Sequence, residues 1–133
     1  MKPLQALGMA LVVLLVAAIV VFFAFAEAYQ VPGNSMSPSL KRGDRILVAK
    51  FVGPIKPDRG DIVAYNVSAI RCGSPGAAVF VHRFVRRRSG RFVMRGDNRR
   101  QSCDSRVLGA MPRDALIGQV VAVYWPPSRW GFR

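Results

Sequence analysis

Leu7-Gly8-Met9-Ala10-Leu11-Val12-Val13-Leu14-Leu15-Val16-Ala17-Ala18-Ile19-Val20-Val21-Phe22-Phe23-Ala24-Phe25-Ala26 is an unbroken apolar run without a charge or a proline. A helix of roughly 20 apolar residues spans about 30 Å, the thickness of bilayer hydrocarbon. A helix on a soluble core would keep polar residues on its outer face, and this run has none. The reading is an N-terminal transmembrane helix over residues 7–26, within an anchor of residues 1–27, and a compact domain over residues 28–133. A cleavable secretory signal is the competing reading, because Ala24-Phe25-Ala26 and Ala26-Glu27-Ala28 both alternate small residues. The run exceeds the roughly 7–15 residues of a signal's apolar core, which favours an uncleaved anchor. Lys2 precedes the span and no Lys or Arg follows it until Lys41. Positive flanks stay cytoplasmic, so the domain is expected on the extracytoplasmic side of the cell (inner) membrane.

Beyond the span the pattern turns to β. Residues 28–35 read as a short polar link, with Pro32 and Gly33 ending any helical continuation. Asp44–Val48, Asp61–Tyr65, Ala78–Val85, Arg91–Met94 and Ile117–Tyr124 are short runs rich in β-branched and aromatic residues. Arg42-Gly43-Asp44, Arg59-Gly60-Asp61, Ser89-Gly90 and Arg95-Gly96-Asp97 supply turns at their edges. No heptad, helical stripe or solenoid repeat appears. The expected fold is mostly β, a compact antiparallel sheet behind one membrane helix.

The formal net charge is +13, and nine arginines fall between Arg83 and Arg106. Such a bias suits a polyanionic partner. Beside a membrane span, anionic lipid headgroups account for it, at about 1 kcal/mol per juxtamembrane basic group; a solvated face is the plainer alternative. No nucleic acid partner is expected. Cys72 and Cys103 are the only cysteines. They can pair if the domain lies outside, yet two cysteines make no disulfide framework. Nothing in the sequence calls for a metal or another cofactor.

Chemistry concentrates in Pro32-Gly33-Asn34-Ser35-Met36-Ser37-Pro38-Ser39-Leu40. A serine among Gly, Asn and Pro sits on irregular backbone, where N–H groups can stay free for an oxyanion. By itself such a serine is usually only a turn residue. Ser35-Met36-Ser37-Pro38-Ser39-Leu40 resembles the nucleophile segment of type I signal peptidases, which follows their membrane anchor. Leu47-Val48-Ala49-Lys50-Phe51 with Arg59-Gly60-Asp61-Ile62-Val63 resembles the family's second segment. Gly96-Asp97-Asn98-Arg99 with Ser102, Asp104, Ser105, Arg106 and Gly109 is similar to its most diagnostic box. Trp125-Pro126-Pro127-Ser128-Arg129-Trp130 resembles the tail of mitochondrial inner-membrane members.

The resemblance implies a membrane-bound serine endopeptidase that releases exported precursors by cutting after a small-x-small motif, on an antiparallel β scaffold. Ser35 would be its nucleophile. Most bacterial members carry a lysine base in a strand; here Val81-His82-Arg83-Phe84-Val85 has histidine at that place, as the endoplasmic-reticulum and archaeal branch does. Neutral imidazole accepts a proton near pH 7 without the large pKa depression a lysine needs. His82 is also the only histidine in the chain. A histidine base works best when a carboxylate holds its tautomer. Asp97 and Asp104 are the two candidates for that role; the resemblance to the histidine branch favours Asp104, with an ion pair to Arg106 as its alternative, while the other reading of Asp97 is a supporting, turn-forming residue. Ser102 matches a position that steadies the lysine base and would here support the loop. Gly33 stands where many members place a hydroxyl for the oxyanion, which leaves backbone N–H groups to do that work. Met36 is expected either to line the substrate groove or meet lipid, or to pack as a loop methionine on the domain, and Trp125, Trp130 and Phe132 to reach the membrane interface or pack on the domain.

Two other functions fit parts of the chain. Self-cleaving, DNA-bound regulators share a Gly-Asn-Ser-Met-Ser-Pro-like segment, but no helix-turn-helix segment precedes Ser35. A scaffold with a decorative serine box would have no use for the Ser35, His82 and Asp104 set. Within the peptidase reading, the substrate remains open between exported precursors at large and one dedicated precursor.

Overall fold

The computed structural model describes residues 2–133. Helix α1 (Pro3–Phe25) contains the whole apolar run but its last residue, and none of its residues is buried by the rest of the chain. At about 1.5 Å per residue it is long enough to cross a bilayer. That all-round apolar surface requires a lipid partner to leave water. The helix stops at Phe25 because Ala26 is already extended.

The link expected over residues 28–35 starts instead as a strand. β1 (Ala26–Gln30) pairs antiparallel with β2 (Arg45–Lys50), from Ala26 opposite Ala49 to Gln30 opposite Arg45. Its sequence, Ala-Glu-Ala-Tyr-Gln, lacks the apolar density that marks strands, so pairing with β2 overrides weak local preference. The remaining strands are β3 (Ile62–Ser68), β4 (Ala77–Arg88), β5 (Arg91–Arg95), β6 (Leu116–Trp125) and the two-residue β7 (Gly131–Phe132). They form one antiparallel sheet in the order β1-β2-β6-β3-β4-β5, with β7 added to β6. All five runs marked in the sequence are strands, each a residue or more longer than expected, although Asp44 and Asp61 fall just outside theirs.

β3 lies between β6 and β4 and is covered on both faces. Ile62 and Ala64 join one apolar cluster, with Val48, Val81, Val120, Met36 and Leu40. Val63, Tyr65 and Val67 join the other, with Phe84, Phe92, Met94 and Leu116. The alternation of a strand thus feeds two cores. β5 pairs with β4 only from Arg83 onward, so residues 77–82 have β3 on one side and, among the described residues, no strand on the other.

Candidate active site

The segment from Val31 to Leu40 packs on the first core through Val31, Met36 and Leu40, all buried. Met36 has no exposed surface and lies inside that cluster, so the groove or lipid expectation is corrected and packing on the domain, its alternative, is what forms. Its thioether fills core space and fixes its neighbour. With the residue after it pinned inside, Ser35 is held half-buried at the mouth of a cavity. The Ser35 carbonyl accepts from the Asn98 N–H at 2.8 Å, which draws the serine loop to the chain leaving β5.

That contact depends on Gly96. A Cβ there would stand 2.7 Å from the Ser35 carbonyl oxygen and closer still to the Ser102 side chain. Only glycine lets the two segments approach this closely.

His82 lies on the free part of β4, opposite Val63, and is 2 % exposed. Its Nε2 is 3.2 Å from Ser35 Oγ. Its Nδ1 is 2.6 Å from the Tyr65 hydroxyl, a group not foreseen in the sequence. Burial depresses the imidazole pKa to about 4; the Asp104 and Asp97 charges oppose this and Arg106 adds to it. Burial likewise raises the Tyr65 phenol, with the Asp104 charge adding to the effect, so the hydroxyl stays neutral.

Asp104 does not hydrogen-bond His82. Its buried carboxylate accepts from Arg106 Nη2 at 2.7 Å, Arg106 Nε at 2.9 Å, the Gly96 N–H at 2.9 Å, the Arg106 N–H at 3.1 Å and Ser102 Oγ at 2.9 Å. The expected carboxylate–histidine bond is therefore corrected: the ion pair with Arg106, the alternative for this residue, is what forms. Burial disfavours the Asp104 carboxylate, but the bonds from Arg106, Gly96 and Ser102 outweigh it and hold the group well below the usual range. Asp97 is likewise more than a turn former. It receives Arg83 Nε at 2.9 Å, Arg83 Nη2 at 2.7 Å and Ser39 Oγ at 2.7 Å, and so ties the end of the serine loop to β4. Ser102 donates from its Oγ to the same Asp104 carboxylate and makes no hydrogen bond to His82.

The cavity holds about 250 Å³ and is open to solvent. Val31 to Ser35 form one wall; Phe80, Val81 and His82 of β4 form another; Cys72, Ser74, Gln101 and Cys103 close the third. Gly33 lines it with open space where a side chain would stand. No carbonyl or side chain among the described residues accepts from the Ser35 N–H. Cys72 and Cys103, whose pairing the sequence left open, form a disulfide with Cα atoms 5.8 Å apart. Lys50, within the second resembling segment, pairs with Glu27 at 3.2 Å and does not line this cavity.

Comparisons with known proteins bear on the family. The profile of the family described as signal peptidase, peptidase S26, matches residues 4–85 and 81–125. A probable signal peptidase I-1 of Synechocystis sp. is 31% identical, across 91% of this chain and 82% of its own length. Mitochondrial inner membrane protease subunit 2 of Saccharomyces cerevisiae is 30% identical across 77% of this chain and 70% of its own. Signal peptidase I T of Bacillus subtilis is 27% identical across 90% and 84%. With the profile running from the membrane helix to the last long strand, the chain belongs to the signal peptidase family, peptidase S26, and is a serine endopeptidase.

Proposed function

We propose that this membrane-anchored enzyme removes signal peptides from exported precursors, cutting after a small-x-small motif with Ser35 as nucleophile and His82 as general base. The observation that carries the reading is the 3.2 Å approach of His82 Nε2 to Ser35 Oγ at the mouth of a cavity. Neutral imidazole takes the Ser35 hydroxyl proton as Oγ attacks the scissile carbonyl. The Ser35 N–H, with the open Gly33 backbone beside it, receives the developing oxyanion. The imidazolium returns its proton to the leaving amine, and the same ring then activates the water that frees the acyl-enzyme.

A precursor segment reaches this site most simply as an extended strand beside residues 77–82 of β4. Main-chain bonds to an unpaired edge give affinity in that mode, and shallow pockets select alternate side chains. A small residue just before the cut and another two places earlier would face the cavity together.

The disulfide supports a domain on the extracytoplasmic side, since such bonds persist in oxidising compartments. Exposed Arg86, Arg87, Arg88, Arg91 and Arg95 of the β4–β5 hairpin make no ion pair among the described residues and suit anionic lipid headgroups.

The test is incubation of the detergent-solubilised protein with a panel of signal-bearing precursors, with cut sites read by mass spectrometry. Cleavage after small-x-small motifs is expected. Ser35→Ala should abolish it, and His82→Ala should lower it by about 10²–10⁴-fold. A bulky Phe or Leu just before the cut should block processing. Processing of one precursor alone would narrow the enzyme to a dedicated maturation protease. Cleavage confined to its own chain would replace the export reading with a self-cleaving one.

A further inference from the structure

We infer that Tyr65, through its hydroxyl on His82 Nδ1, is the positioning residue that holds the base in register with Ser35, in the place where a serine triad puts a carboxylate. The inference rests on the Ser35–His82 reading and adds a third member to it.

Strand register makes the contact inevitable. Tyr65 stands opposite Phe80 on β4, while His82 stands opposite Val63, so Tyr65 and His82 are diagonal neighbours on one face. Diagonal side chains in an antiparallel pair lie within reach when one of them is long and aromatic. Their ring centroids are 5.7 Å apart, and Phe80 packs edge-on against both rings, at 6.2 Å from Tyr65 and 5.7 Å from His82. Tyr65 itself has no exposed surface and sits on β3, which is paired on both sides. A hydroxyl carried on so constrained a ring has little freedom to leave Nδ1.

The same surroundings leave the imidazole no other anchor. Both Asp104 oxygens are occupied by Arg106, Gly96 and Ser102, and Asp97 is occupied by Arg83 and Ser39. In the productive tautomer Nδ1–H donates to the Tyr65 oxygen and the Nε2 lone pair faces Ser35 Oγ–H. Without that hydroxyl, Nδ1–H has no acceptor on the buried side of the ring, and nothing there stops rotation about the Cβ–Cγ bond. A neutral phenol in this role also fits a buried ring better than a carboxylate, because it adds no second charge to desolvate.

Tyr65→Phe removes the hydroxyl and keeps the ring, so the experiment can be read on a folded enzyme, checked by thermal unfolding. Turnover should fall by about 10- to 100-fold in kcat with KM little changed, less than the loss on removing the base itself. A second readout does not depend on turnover. Because the chain has one histidine, ¹⁵N-labelled histidine reports a single ring by NMR. The wild-type enzyme should show a protonated Nδ1 and a bare Nε2, and Tyr65→Phe should move the ring towards Nε2–H. Full activity and an unchanged tautomer in Tyr65→Phe, alongside an inactive His82→Ala, would overturn the role of Tyr65 and leave the base in place. An active His82→Ala enzyme would instead overturn the Ser35–His82 reading beneath it.

Discussion

His82 gives up base strength to remain uncharged. Burial lowers its pKa to about 4, against opposing contributions from Asp104 and Asp97 and a reinforcing one from Arg106. With His82 as the proposed base, the protonated ring cannot accept the Ser35 proton, and activity requires pH above that value. On sequence alone the acid limb of kcat/KM belongs near the ordinary imidazole value of about 6.5. The structure moves it to about 4, with activity holding through pH 5.5–6, where an unperturbed histidine would already be largely protonated. A pH–rate profile between 3.5 and 8 checks this, and a limb at 6.5 would mean that water reaches the ring in solution. Stability runs in the same direction. Between about 6.5 and 4 the unfolded chain binds a proton that the native ring refuses, so stability declines as pH falls through that window.

Two short segments, rather than any strand, bring the serine to this base. The serine loop is held by Met36 and Leu40 in the core, and the loop after β5 receives it through Asn98 and Gly96. Gly96→Ala should therefore separate Ser35 from His82 as well as strain the loop. Overpacking costs of about 1–3 kcal/mol are expected in unfolding, with a larger proportional loss in turnover. A variant that loses stability but keeps full kcat would show that the Ser35 carbonyl can shift without moving Oγ. The legibility of these elements follows their physics. One long apolar run announced α1, short β-branched and aromatic runs announced the five main strands, and Ser35 and His82 stood out as chemical types within a resembling order of motifs. β1 and β7 escaped because partner strands, not their own residues, make them extended. Tyr65 escaped because a tyrosine in an alternating strand reads as core, which it also is; only its register with His82 exposes the hydroxyl's use. For Met36 and Asp104 the sequence left two readings each, and only packing decides between them: the core claimed the first and Arg106 the second.

For the molecule as a whole, one covalent bond links the compartment to the chemistry. Cys72 ends the turn between β3 and β4, and Cys103 lies between Ser102 and Asp104 in the loop that supports Gly96. Their sequence separation is 31 residues, and closing a loop of that size is worth about 3–4 kcal/mol in the unfolded-chain view. Both cysteines also form a wall of the cavity, so the bond acts on the site and on global stability together. Reduction, or replacement of both by alanine, should lower the unfolding midpoint and reduce precursor cleavage under conditions where the protein remains folded. The oxidised enzyme should show no thiol reactive to maleimide before denaturation or after it. A domain facing a reducing compartment would present both thiols in vesicles prepared without added oxidant, at full activity. Such a result would remove the disulfide from the working enzyme and place the domain on the cytoplasmic side of the membrane that α1 enters.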